Sequence, residues 1–108
     1  MHFRALGRMK QGQLNRTEQA YSDRLARMQQ MGEIKWFLFE GMNLRLADKT
    51  FYRPDFVVLN AKDELEIHEV KGFWLDDARC KIKVAAERFP FKFMAVQYKH
   101  KQWIFEEF

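Results

Sequence analysis

The sequence predicts an α/β domain, a single β-sheet with helices covering its faces. Three observations carry this. Apolar residues recur at helical spacing over 14–28. Two alternating stretches flank a five-residue polar turn at 60–64, and a second helical stripe over 78–89 leads into another strand. At 108 residues the chain has room for one core, and 47% hydrophobic residues with 16% aromatics suffice to build it.

The first helix is expected over 15–31. Leu14, Glu18, Tyr21, Leu25 and Met28 follow steps of four, three, four and three, which places them on one face. Gly32 is the expected stop. Residues 34–39 read as a strand or, alternatively, as a loop packed by aromatics, with Trp36 and Phe39 as core. A turn at 40–43 precedes a short strand over 44–47. Residues 51–54 lead into a strand over 55–59, with Pro54 at its start because proline lacks an amide donor. The clearest strand is 65–71, in which Leu65, Ile67, Glu69 and Lys71 share a face. A second helix over 76–89 has two acids in its first turn and a buried stripe of Ala78, Ile82, Ala85 and Phe89, ended by Pro90. Strands over 91–98 and 103–105 complete the order.

Residues 1–13 read as a basic arm and 14–108 as one domain. The formal net charge is +4, and its placement is uneven. Arg4, Arg8, Lys10 and Arg16 stand in a stretch with no acid, which leaves 15 bases against 15 acids in the remainder. A basic arm on an even body suits a polyanion such as nucleic acid, although a merely soluble tail has the same composition. The lone Cys80 excludes an intrachain disulfide and a four-cysteine zinc site. No run is long enough for a secretory signal or a membrane span, which points to a reducing, intracellular setting without membrane attachment.

If the turn is symmetric about Lys62, Leu59 pairs with Leu65, Val57 with Ile67 and Asp55 with Glu69. Directly opposed residues on one face have Cβ atoms about 4.5–5.5 Å apart. Two carboxylates at that distance repel each other unless a cation or a proton intervenes. Mg2+ or Mn2+ suits an oxygen ligand set, which the Val70 carbonyl would extend. Lys71, on the same face, is placed to orient water or offset charge on a phosphoryl transition state. The plainer alternative makes Asp55 a turn carboxylate and Glu69–Lys71 a solvent-facing pair. Glu18 has two readings as well. With Asn15 it has the spacing of a capping box, and within the apolar stripe it faces the sheet, from which it would reach the metal or its water.

Pro54-Asp55 followed, after 13 residues, by Glu69-Val70-Lys71 resembles the signature of the PD-(D/E)xK nuclease superfamily. The longer run Arg53-Pro54-Asp55-Phe56, Glu69-Val70-Lys71-Gly72, Lys-rich helix and strand is similar to small phage-encoded proteins grouped with Holliday junction resolvase-like nucleases. The likeness covers residues 14–98. It implies a restriction-endonuclease-like αβββαβ core with a mixed central sheet flanked by helices. It also implies a catalytic set of Glu18, Asp55, Glu69 and Lys71, with metal on Asp55, Glu69 and Glu18. By the same likeness, the chain would be a cytoplasmic, Mg2+-dependent endodeoxyribonuclease of a phage in its bacterial host. It would act as a homodimer on branched DNA such as junctions or flaps. The chain departs from that pattern in its size, which leaves little room for a separate recognition domain.

Arg79, Lys81 and Lys83 on the second helix are candidates for phosphate contacts alongside Arg4, Arg8, Lys10 and Arg16, or else a solvated face. Phe73 and Trp74 are placed to stack on an unpaired base or to pack. His68 alternates away from Glu69, which favours a surface or packing role on the other side, and Cys80 reads as structural. No glycine-rich phosphate loop occurs, which argues against an ATP-driven enzyme. A nucleic-acid-binding module without catalysis and a structural interaction protein are the competing functions.

Overall fold

The computed structural model describes residues 14–71 and 76–108. The helix α1 spans Arg16–Gln30 and is followed by the strands β1 (Ile34–Phe39), β2 (Leu44–Ala47), β3 (Thr50–Tyr52), β4 (Phe56–Asn60) and β5 (Leu65–Val70). Helix α2 (Asp76–Arg88), β6 (Lys92–Lys99) and β7 (Gln102–Glu107) complete the order. The main sheet has five strands in the order β1-β4-β5-β6-β7, and β2 and β3 form a separate two-stranded sheet. Only β5 and β6 are parallel, joined by the crossover through α2, so the sheet is mixed.

Each face of the sheet carries one helix, as the alternation of strand residues requires. Phe56, Val58, Val70 and Val96 pack against Tyr21 and Leu25 of α1. Val57, Ile67 and Phe93 face the other way, onto Ile82 and Ala85 of α2 and onto Leu44, Leu46 and Tyr52 of the small hairpin. The α1 stripe is therefore as expected, with Tyr21 and Leu25 fully buried. Gly32 ends the helix at φ +79°, a conformation that costs glycine little.

Three expectations need correction. Phe51 and Tyr52 do not simply lead into β4. They belong to β3, which pairs back onto β2 across a turn where Lys49 has φ +55°. The last strand is longer than 103–105, because His100 and Lys101, both at positive φ, close a tight β6–β7 hairpin. Neither turn contains the glycine or asparagine that would advertise it. Finally, Phe39 packs on Phe56 at 5.3 Å between ring centroids, but Trp36 is not core. A bulge between Ile34 and Trp36 shifts the alternation of β1. Phe37 and Phe39 therefore share the α1 face with Ile34, while Trp36 and Leu38 are exposed on this edge strand.

No helix among the described residues is long and apolar enough to cross a membrane.

Candidate active site

The β4–β5 hairpin fixes the site. Its turn is organised by Asn60, whose Oδ1 accepts from the backbone N–H groups of Lys62 (2.9 Å) and Glu64 (3.0 Å). The ladder then pairs Leu59 with Leu65 and Val57 with Ile67, the register expected from a symmetric turn. One pair further on, the strands are joined through carboxylates instead of backbone bonds. The Asp55 N–H donates to Glu69 Oε1 at 3.1 Å, and the Val70 N–H donates to Asp55 Oδ2 at 2.8 Å. Each acid is thus held by an amide of the opposite strand. Both are buried, at 7% exposure each.

Two further groups complete the cluster. Tyr52, buried on β3, donates its hydroxyl to Glu69 Oε1 at 2.9 Å. Lys71 Nζ lies 3.2 Å from Glu69 Oε2, with its side chain 37% exposed. Burial, and then the charge of Glu69, pushes the Asp55 carboxyl up to about 8 against the pull of the Val70 amide and Lys71. Burial also raises Glu69, outweighing Lys71, the Tyr52 hydroxyl and the Asp55 amide. Burial alone would lower Lys71, but the charges of Glu69 and Asp55 hold it above its ordinary value. Burial and Glu69 keep the Tyr52 phenol protonated, as a donor must be. Without a cation, the pair holds a proton more readily than two exposed acids would.

Glu18 does not join this contact cluster. Its Oε1 accepts from the Asn15 N–H at 3.0 Å, and its own N–H donates to Asn15 Oδ1 at 2.8 Å, so the capping box forms. Helix α1 lies on the sheet face opposite to that of Asp55 and Glu69. The charge of Glu18 nevertheless reaches both Asp55 and Lys71, so the helix start sits at the same end of the sheet. Among the described residues, no group of three or more His, Cys, Asp or Glu side chains comes together as a metal cluster.

The basic candidates separate. Arg79 forks onto Glu106 at 3.0 and 2.7 Å and stacks on Phe108, which ties α2 to β7. Lys81, Lys83 and Arg16 are exposed. Arg4, Arg8, Lys10, Phe73 and Trp74 lie outside the described residues. Cys80 is exposed on α2, so it supplies no core packing.

Sequence reasoning missed Tyr52. The clue was an aromatic donor three residues before Asp55, but only the β2–β3 hairpin brings it to Glu69. It also missed the partners of His68, which is buried behind the site on the α1 face. Tyr21 Oη lies 2.6 Å from His68 Nδ1, and Nε2 lies 2.9 Å from Glu66 Oε1. One neutral tautomer satisfies both contacts, with Nδ1 accepting from the phenol and Nε2–H donating to the carboxylate. His68 and Asn60 hold Glu66 below the usual carboxylate range.

No family model, curated protein or solved structure matches the chain.

Proposed function

We propose that the chain is a metal-dependent endonuclease that hydrolyses phosphodiester bonds in DNA, with branched DNA as its substrate. The observation that carries this is the buried Asp55–Glu69 pair on adjacent strands with Lys71 on the same face. A fold gains nothing in stability from opposing two buried acids, whereas Mg2+ or Mn2+ would resolve their repulsion. The donor set fits such an ion, being oxygens from two carboxylates and a backbone carbonyl. The N–H and C=O of a strand residue point to the same neighbour, so the Val70 carbonyl adds an oxygen on the Asp55 side. The element order adds support. With the β2–β3 hairpin and β7 set aside, it runs helix, three strands, helix, strand, which is the αβββαβ order that the resemblance to PD-(D/E)xK nucleases implies.

In this reading Asp55 and Glu69 hold the ion. Bound there, it would acidify water and stabilise charge on the phosphate. Tyr52 and the Asp55 amide fix the Glu69 carboxylate through Oε1. Lys71, part-exposed, shifts between Glu69 and a scissile phosphate oxygen, and its raised pKa keeps it charged for that task. Glu18 contributes negative potential from the helix start. A homodimer would present two such sites to opposed strands.

Cleavage of labelled four-way junction, flap, nicked and plain duplex DNA tests the proposal, with Mg2+, Mn2+ or EDTA. Metal-dependent cutting that is lost in Asp55→Ala and Lys71→Ala supports it. Absence of cutting by folded protein on every substrate overturns it. A specific observation favours a second reading, a nucleic-acid-binding module without hydrolysis: among the described residues only two carboxylates meet, and Glu18 is committed to its cap. Retained DNA binding without cutting would select that reading.

A further inference from the structure

On the opposite face of the sheet, α1 and the end of the β6–β7 hairpin enclose a groove of about 400 Å3. Its helix wall presents Arg16, Ala20, Asp23 and Arg27, and its hairpin wall presents Tyr98 and Trp103. We infer that this groove binds a single-stranded segment of nucleic acid, seating a base against Tyr98 with the backbone running between Arg16 and Arg27. The inference rests on the nucleic-acid reading above, and it adds the part of the substrate that this face takes.

The walls carry complementary chemistry. Tyr98 is 49% exposed, so a ring face is available for stacking. Trp103 braces it at 4.8 Å between ring centroids and is itself packed edge-on against buried Tyr21 at 5.1 Å. Stacking on such a platform needs an unpaired base, because a duplex keeps its base faces covered. The two arginines stand eleven residues apart on one helix face, roughly 16 Å along the axis, a span of several nucleotides at the stacked rise of about 3.4 Å. Asp23 lies between them, where its carboxylate repels a phosphate but accepts from a base amino group, as it would from cytosine. A row of phosphates alone fits this wall poorly, whereas a base flanked by phosphates matches it.

The groove also opens at the right end of the sheet. The Lys71 N–H donates to the Val96 carbonyl at 2.9 Å. The β5–β6 ladder pairs Val70 with Val96, which sets Lys71 level with Gln97, so Tyr98 lies one residue, roughly 3.3 Å, beyond Lys71 on the neighbouring strand. A strand leaving the Asp55–Glu69 site around this end of the sheet reaches the groove directly.

Fluorescence anisotropy with EDTA present, so that no strand is cut, would test this. The probes are a short labelled oligodeoxycytidylate, a duplex of equal length, and deoxycytidine monophosphate as competitor. The expected result is preference for the single strand, about tenfold weaker binding in Tyr98→Ala and retention in Tyr98→Phe, with duplex affinity unchanged. Arg27→Ala should lower the slope of log affinity against log salt by about 0.7. Unchanged single-strand affinity in Tyr98→Ala, or equal loss on duplex, overturns the groove. Competition by the mononucleotide at the affinity of the strand overturns the strand as its ligand. Metal-dependent cleavage with an unchanged Tyr98→Ala leaves the hydrolytic site standing alone. A Tyr98 effect without cleavage keeps the groove and removes the hydrolytic reading.

Discussion

The two faces of β5 bury polar groups in opposite ways. On the α1 face, Tyr21, His68 and Glu66 form a chain in which each donor meets an acceptor. On the α2 face, Asp55 and Glu69 place two acids together, with Lys71 beside Glu69. The first arrangement is complete within the protein, and it locks α1 onto the sheet. The second stays balanced only while Asp55 keeps a proton, and in the proposed reading a cation takes that proton's place. Both faces satisfy their buried polar groups with hydrogen bonds, so what separates them is charge: two acids meet on one face, and donors alternate with acceptors on the other.

Substitutions on the two faces should therefore diverge. Asp55→Asn should abolish metal-dependent cleavage by a factor of roughly a thousand or more, about 4 kcal/mol of transition-state stabilisation. The same change should stabilise the metal-free protein at neutral pH by about 1 kcal/mol, because an amide beside Glu69 does not have to take up a proton to be neutral. Thermal unfolding in EDTA, run beside the cleavage assay, reads both signs. His68→Ala should do the reverse, costing about 1–3 kcal/mol of stability by stranding the buried Tyr21 hydroxyl and removing one of the two partners of Glu66. Chemical denaturation measures that loss. A neutral His68→Ala would erase the contrast between the faces.

Tyr52→Phe sharpens the comparison, since Tyr52 touches Glu69 from the core side without belonging to the ligand set. Its removal should weaken Mn2+ binding about 10-fold, read by calorimetry, with little change in fold. The faces should also respond to pH with opposite sign. The Asp55 carboxyl, raised from 3.8 to about 8, contributes stability that is present at low pH and lost as pH climbs through 8. Glu66, lowered from 4.5, contributes stability that is present above the ordinary carboxylate range and lost as pH falls below it. Unfolding curves of Asp55→Asn and Glu66→Gln across pH 3–9 should each flatten one limb. The smallest effect belongs to the exposed Arg79–Glu106 fork, where Arg79→Ala should cost about 0.5 kcal/mol in denaturation midpoint analysis.

The hairpin that carries the site was legible because its register depends on local chemistry. Asn60 organises the turn, strand alternation does the rest, and Asp55 and Glu69 follow from counting. Glu18 was ambiguous for a physical reason, since one position serves both a capping box and the inward face of a helix, and spacing cannot rank the two. Trp36 was misplaced because a bulge reverses alternation without leaving a sequence mark. Tyr52 and the groove beside Tyr98 were hidden because both depend on hairpins closed by residues at positive φ that are neither glycine nor asparagine. Long-range juxtaposition, such as Tyr21 with His68, has no local signature at all.

Asp55 and Glu69 are the proposed cation site. Calorimetric titration of Mn2+ into the protein at neutral pH, in two buffers of different ionisation enthalpy, tests it directly. The account predicts one ion per chain, release of a proton on binding, and loss of both in Asp55→Asn. Absence of Mn2+ binding, or binding that Asp55→Asn leaves unchanged, would contradict it.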